Sequence, residues 1–131
     1  MKSFLVHPIF VHFPIALFFL ELLLLALWTV QKDGAYHRFA EFSFWAAYLF
    51  LWFSAVTGLW DHGGFADISG TAAPHFYSAL GMLFFYSARA FYWKKADRHA
   101  ANYAVFQIGG AALGNVLIVF VAYFGGRLVY S

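Results

Sequence analysis

The stretch PIFVHFPIALFFLELLLLALWTV at residues 8–30 decides the fold of this chain. A bilayer is crossed by about 20 consecutive apolar residues in a helix, and this run is long enough to do so. Similar runs occur at residues 42–60, 74–93 and 103–124, and 63% of the 131 residues are hydrophobic while only 11% are charged. We therefore predict an all-α integral membrane protein, a single domain of four spans in an up-down four-helix bundle.

The segments between the runs predict the topology. Residues 31–41 and 94–102 are short and polar, and residues 61–73 are rich in glycine. The end of the bundle that carries the first and third of these links holds six cations, against Lys2 and Arg127 at the other end: Lys32, Arg38, Arg89, Lys94, Lys95 and Arg98. Because cytoplasmic segments are enriched in Lys and Arg, we expect those two links in the cytoplasm and both termini on the periplasmic or outer side.

Composition also excludes several kinds of chemistry. The chain has no cysteine, which excludes disulfides, iron–sulfur ligation and covalent attachment of a c-type haem. The formal net charge is only +2 and the cations are scattered, so nucleic-acid binding is not expected. The sequence contains no phosphate-binding loop and no Ser-His-Asp arrangement. A metal or cofactor would have to be held by histidine, carboxylate or backbone groups.

The six histidines separate by side. His7, His12, His62 and His75 fall near the outer ends of their predicted spans, and His37 and His99 near the inner ends. Several imidazoles at one level of a small bundle are suited to binding a metal or haem, since neutral imidazole is a common iron ligand. Hydrogen bonding to headgroups and water is an equally good interpretation of His7 and His62.

An internal repeat singles out two of these histidines. The segment His12-Phe13 with Ala16-Leu17 recurs as His75-Phe76 with Ala79-Leu80 (75 − 12 = 63), which suggests two copies of one helical hairpin. His12 and His75 would then face each other at equal depth on the first and third helices. Two opposed imidazoles can ligate one noncovalent haem b, with Arg127 available for its propionates. His37 and His99 recur at a similar offset, which leaves a second haem possible at the inner side.

Two carboxylates suggest supporting roles. Glu21 lies in the middle of the first span, where it should be protonated or paired, and Asn115 is the candidate partner. It would either accept a proton in quinol chemistry or make a structural hydrogen bond between helices. Asp61 could orient the imidazole of His62 or simply cap a helix. Gly110 and Gly114 form a GxxxG pattern, which is typical of close helix packing.

The N-terminal motif resembles a known family. His7-Pro8 followed by His12-Phe13-Pro14 resembles the opening signature of a bacterial family of small four-span membrane domains of unknown function, which are similar to b-type cytochromes in layout and sometimes fused to Rieske domains. The resemblance extends to further short motifs: Thr57-Gly58, Asp61-His62, His75 and Gly125-Gly126-Arg127-Leu128-Val129-Tyr130. It implies a bacterial cytoplasmic membrane protein that binds haem.

These observations lead to one main hypothesis and two alternatives. The main one is a b-type cytochrome-like subunit, more an electron-transfer subunit than a self-contained enzyme, that passes electrons between quinol and a partner. Its expected partners are the lipid bilayer, other redox subunits or further copies of the chain, and quinone. The first alternative is a noncatalytic accessory or scaffold subunit of a larger membrane complex, which needs no cofactor. The second is a histidine-ligated site for another metal or a pigment.

Overall fold

The described part of the chain forms four helices. The structure, a computed structural model, describes the backbone of residues 6–62 and 72–130 and the side chains of residues 12–58 and 77–123. The helices are α1 (Val6–Gln31), α2 (Gly34–His62), α3 (Ala72–Lys95) and α4 (Tyr103–Tyr130). No strand occurs within these two ranges. The predicted all-α helical fold is therefore confirmed.

The link between α1 and α2 is much shorter than predicted. Only Lys32 and Asp33 separate the helices, whereas polarity suggested a link over residues 31–41. Lys32 ends α1 in a left-handed conformation (φ 58°), and its N–H still donates to the Trp28 carbonyl at 2.8 Å. The Asp33 carboxylate then accepts from the Ala35 N–H at 3.0 Å, which caps α2. The polar side chains of residues 34–41 lie on the first turns of α2. The helix therefore begins at Gly34, eight residues before the apolar run that starts at residue 42.

The other two links also differ from the prediction. α3 continues through Lys95, so the third link comprises residues 96–102, where the Asp97 carboxylate accepts from the His99 N–H at 3.0 Å. The glycine-rich link is shortened at both ends because α2 reaches His62 and α3 begins at Ala72. Its remaining residues, 63–71, lie outside the described residues.

The helices are arranged in a ring in chain order. α1 packs most extensively on α2 and also contacts α4, and α3 contacts the same two neighbours. α1 and α3 therefore lie diagonally across the bundle, as do α2 and α4. We call the end that carries residues 32–33 and 96–102 the link end, and the opposite end, where α1 and α3 begin, the terminal end.

The bundle exposes many large apolar side chains on its surface. Phe18, Leu25, Phe44 and Tyr86 are fully buried at the centre, while large side chains such as Phe84 and Phe42 point outward, 82% and 74% exposed. A helix that is apolar on all sides is typical of a membrane environment. Among the residues with described side chains, three helical segments are long and apolar enough to cross a bilayer, namely His12–Gln31, Gly34–Gly58 and Tyr103–Tyr123. The molecule is thus an all-α membrane helical bundle, and a span through α3 stays a prediction.

Candidate functional site: a buried polar network in the bundle

An ion pair crosses the centre of the bundle from α1 to α3. Arg89 donates through both terminal nitrogens to Glu21, with Nη1 to Oε1 and Nη2 to Oε2 both at 2.8 Å. Trp93 Nε1 also donates to Glu21 Oε2 at 3.0 Å. Glu21 is 0% exposed and Arg89 is 6% exposed. A bidentate arginine and an indole N–H together compensate the carboxylate for the water that it has lost.

This pair confirms one expectation about Glu21 and corrects two others. Glu21 is paired, as its depth required, but its partner is Arg89 and the predicted partner Asn115 is wrong. Asn115 instead donates to backbone carbonyls, to Ala111 at 2.8 Å and to Phe18 at 3.4 Å. Arg89 was also counted among the cations of the link end, but it is buried inside the bundle and paired with Glu21. The other five cations of the link end are exposed.

The network continues from Arg89 toward the link end. Arg89 Nη2 also donates to Gln107 Oε1 at 2.9 Å, and Gln107 Nε2 donates to the Tyr103 hydroxyl at 2.9 Å. Tyr103 lies 2.8 Å from His37 Nε2. Because the Gln107 amide oxygen is held by Arg89, its NH2 group must face Tyr103. The Tyr103 hydroxyl, which accepts from Gln107, then donates to His37 Nε2, and this places the imidazole proton on Nδ1.

We call the six connected side chains the polar network: Glu21, His37, Arg89, Trp93, Tyr103 and Gln107. It links both diagonals, since Glu21 and Arg89 join α1 to α3, while His37 and Tyr103 join α2 to α4. Aromatic rings enclose it. His37 lies between Trp28 and Trp93, with ring centroids 4.8 and 5.1 Å away, and Arg89 stands 5.1 Å above the Phe44 ring. These rings exclude water and strengthen the hydrogen bonds inside.

His37 therefore differs from its expected state. The sequence placed it in a solvated link with His99, but it is 5% exposed and its Nε2 is occupied by Tyr103. His99 is exposed, as expected. Within residues 12–58 and 77–123, no group of three or more His, Asp or Glu side chains is arranged to hold a metal ion. His37 is buried and hydrogen-bonded whereas His99 is exposed, which does not favour a second haem held by both. That second haem stays an untested hypothesis.

Two glycines of α4 allow α3 side chains to approach closely. Tyr86 packs directly on Gly114, where an added Cβ would overlap its ring and hydroxyl. A Cβ at Gly110 would lie 3.0 Å from Arg89 Nε. The predicted packing role of the GxxxG pattern is thus confirmed. The Tyr86 hydroxyl is buried and finds no hydrogen-bond partner among the described side chains.

Most of the predicted haem-site residues lie beyond the described side chains. This holds for five of the predicted residues: His7, Asp61, His62, His75 and Arg127. His12 is described and is exposed on α1 toward the terminal end. The prediction that His12 and His75 form a ligand pair is accordingly not decided by side-chain geometry.

The register of α1 against α3 nevertheless bears on that pair. Phe18 and Tyr86 stack with ring centroids 3.8 Å apart, and they are separated by 68 positions (86 − 18 = 68), as are Glu21 and Arg89. The sequence repeat had an offset of 63. Since a helix rises 1.5 Å per residue, the difference of five residues corresponds to about 7.5 Å. At this register His75 is level with position 7, and His12 lies about 7.5 Å deeper toward the link end.

Comparison with known proteins settles the family. The family model described as "Predicted membrane protein (DUF2231)" matches residues 4–131. The chain belongs to this family. The family is one of unknown function, in agreement with the resemblance drawn from the N-terminal motif. No curated protein and no solved structure matches the chain.

In this DUF2231 protein, sequence reasoning missed most of the polar network. Arg89 and Gln107 lie inside the third and fourth apolar runs, and intramembrane polar residues of this kind usually pair with one another. That signal was available, and it indicates that Arg89 needs a buried partner without identifying Glu21 as that partner. The hydrogen bond between Tyr103 and His37 could not be predicted from the sequence, because both residues lie at helix ends, where side chains are usually solvated.

Proposed function

We propose that this chain is a haem-binding subunit of a membrane redox system that passes electrons between quinol and a partner protein. The observation that supports it best is the register of α1 against α3. It brings His7 and His75 to one level across a bundle diagonal, with His12 within about two helical turns of them. Two imidazoles that approach from helices on opposite sides are the ligand set that a six-coordinate haem needs.

The described residues limit where such a haem could lie. The stacked rings of Phe18 and Tyr86, 3.8 Å apart, fill the space between α1 and α3 at their level, so a haem between these helices would have to lie nearer the terminal end. His12 lies on that side and is exposed. Imidazole is the donor type that haem iron takes, and on backbone position His75 would be one ligand and His7 or His12 the other. Bound haem would supply one-electron chemistry.

The protein's own contribution is to hold these helices in place. The Glu21–Arg89 pair fixes α1 against α3, which sets the separation between any ligands on the two helices. Arg127 would lie on α4 toward the same end, where a cation can pair with propionates. Asp61 would orient the imidazole of His62 on α2. These assignments on α2 and α4 rest on sequence position alone.

The test is a spectrum of the protein purified from haem-supplemented cells, reduced minus oxidised. We expect a Soret band that shifts on addition of dithionite and disappears in His75→Ala. His7→Ala and His12→Ala decide the second ligand, because only the true ligand's loss changes the spin state. His99→Ala, an exposed histidine at the link end, is the matched control and should leave the spectrum unchanged. Absence of a Soret band in the unmutated protein would overturn the proposal.

A noncatalytic scaffold subunit is the second candidate, and one observation favours it. The polar network connects all four helices through satisfied hydrogen bonds, which is sufficient to explain Glu21 as a structural residue. This candidate expects no cofactor and loss of a larger complex on native gels after deletion of the chain. Elemental analysis of the purified protein would reveal a different metal at the histidines, and its absorption spectrum would reveal a pigment.

A further inference from the structure

A groove on the outer surface between α3 and α4 leads directly to the polar network. Its volume is about 350 Å³, and it is lined by Phe85, Ala88, Arg89, Tyr92, Phe106 and Gly110. We call it the α3–α4 groove. Its walls are almost entirely apolar, and the rings of Tyr92 and Phe106 stand nearly perpendicular at its rim, with centroids 6.5 Å apart. It opens to the outer, apolar surface of the bundle.

Arg89 places one hydrogen-bond donor in this groove. Its two terminal nitrogens are taken by Glu21 and Gln107, whereas its Nε has no acceptor among the described residues. Gly110 lines the groove beside that atom, and a side chain at this position would cover it, because even a Cβ would lie 3.0 Å from Nε. The glycine thus keeps a donor on a buried cation accessible from the lipid side.

The chemistry of the groove selects its occupant. Glu21 already neutralises Arg89, so the site offers a hydrogen bond without a net positive charge and favours a neutral acceptor over an anion. Arg89 also lies six residues before the end of α3, about 9 Å inside it, which is too deep for a phosphate headgroup. Aromatic walls suit a flat ring. A neutral, planar, lipid-soluble molecule with a carbonyl acceptor satisfies all of these conditions.

We propose that the α3–α4 groove binds the ring of a membrane quinone, with one quinone carbonyl accepting from Arg89 Nε–H. The hydrocarbon tail then lies along the exposed apolar surface of α3 toward the terminal end, where Phe84 is 82% exposed. This inference deepens the proposed redox function, on which it rests for a physiological role, and it names a substrate site distinct from the histidines of the terminal end. Binding itself requires no haem.

The experiment measures binding of decylubiquinone to the full-length protein in phosphatidylcholine nanodiscs, followed by quenching of tryptophan fluorescence. Trp93 donates a hydrogen bond to Glu21, so quenching of its fluorescence reports quinone bound close to the polar network. We expect a saturable component above the collisional background. Gly110→Leu should fill the groove and weaken binding at least about tenfold. The matched control is Gly109→Leu, since a Cβ at Gly109 meets nothing within 4 Å, and it should bind as the unmutated protein does.

Further arms keep the test decisive. If Gly110→Leu does not fold, Phe106→Ala removes a wall of the groove at a residue that is 57% exposed and should also weaken binding. Quenching that is equal in all variants would overturn the proposal. So would displacement of the quinone by phosphatidylglycerol, which would identify an anion site. Saturable quinone binding by protein that has no Soret band would support this inference and contradict the haem proposal. A Soret band without saturable quinone binding would support the haem proposal and contradict this inference.

Discussion

The pairing of Glu21 with Arg89 is the residue-scale feature on which the bundle depends. A charged side chain costs at least about 2.5 kcal/mol at the centre of a membrane helix, so each partner is tolerable only because the other is present. Trp93 and Gln107 satisfy further hydrogen-bonding capacity of the pair. Removing one partner leaves a buried charge without compensation, whereas removing both leaves none.

Glu21→Leu should lower the free energy of unfolding by about 3–5 kcal/mol, because Arg89 is left unpaired. The double variant Glu21→Leu with Arg89→Met should lose clearly less than the single variant. Steric-trap unfolding in micelles measures both. The exposed pair of Arg98 and Glu41, 3.0 Å apart, is the control, and Glu41→Gln should cost less than about 1 kcal/mol. Equal losses in the single and double variants would contradict the ion-pair interpretation.

A second residue-scale prediction concerns the contact between Tyr86 and Gly114. Gly114→Ala should destabilise the protein by about 1–3 kcal/mol, because the new methyl group overlaps the tyrosine ring. Tyr86→Phe removes the hydroxyl that lies nearest and should recover part of the loss in the double variant. Gly109→Ala, with open space around it, is the matched control. The measurement is the midpoint of thermal unfolding, and equal midpoints for Gly114→Ala and Gly109→Ala would show that α4 shifts to absorb the clash.

At the scale of elements, the two diagonals of the bundle are held by different chemistry. The α1–α3 diagonal has a charged contact and a ring stack, whereas the α2–α4 diagonal has the neutral hydrogen bond between His37 and Tyr103. The two hairpins are also unequal in detail. The repeat offset of 63 relates buried Glu21 to Phe84, which is 82% exposed. The polar network is therefore a property of the assembled four helices and of neither hairpin alone.

Tyr103→Phe should destabilise the link end of α4, because it removes the hydroxyl that connects His37 with Gln107. We expect a loss of about 1–3 kcal/mol, the cost of leaving buried polar groups unsatisfied. Hydrogen exchange of the backbone amides of α2 and α4 near the link end should rise in this variant. Tyr36→Phe, whose hydroxyl takes no part in the network, should leave exchange unchanged. Unaltered exchange in Tyr103→Phe would mean that packing alone joins the two helices.

At the scale of the whole molecule, charge still favours one orientation. Without Arg89, the link end keeps five exposed cations, Lys32, Arg38, Lys94, Lys95 and Arg98, against Lys2 and Arg127 in the rest of the chain. The excess of cations at the link end is smaller than the sequence alone suggested, but it still favours the same orientation. We therefore propose that the link end faces the cytoplasm, since Lys and Arg in short loops resist translocation.

The absence of cysteine makes this orientation directly testable. A single Ala101→Cys substitution, at an exposed position in the third link, should react with a membrane-impermeant maleimide only after the membrane is permeabilised. Ser131→Cys, beyond the end of α4 at Tyr130, should react in intact cells. The unmutated chain provides a background without label. The opposite pattern would show that the link end faces outward.

The amino-acid sequence is sufficient to predict the membrane environment, the number of helices and the need of Glu21 for a partner. Composition and run length are enough for this, because a chain with 63% hydrophobic residues cannot cover itself with polar groups in water. Helix ends were less predictable. Residues 34–41 are polar yet helical, since polarity reports depth in the membrane while a cap such as Asp33 sets where the helix begins.

Which polar residues meet depends on how the four helices pack together. Arg89 and Glu21 are 68 positions apart, and neither spacing nor repeat offset indicates that their helices lie diagonally with that register. The register of α1 against α3 follows from packing, because Phe18 stacks on Tyr86 and Tyr86 packs on Gly114 of α4. Such contacts depend on side-chain shape across three helices at once. The same packing selected Arg89 over Asn115 for Glu21 and buried His37, which the sequence alone had placed in water.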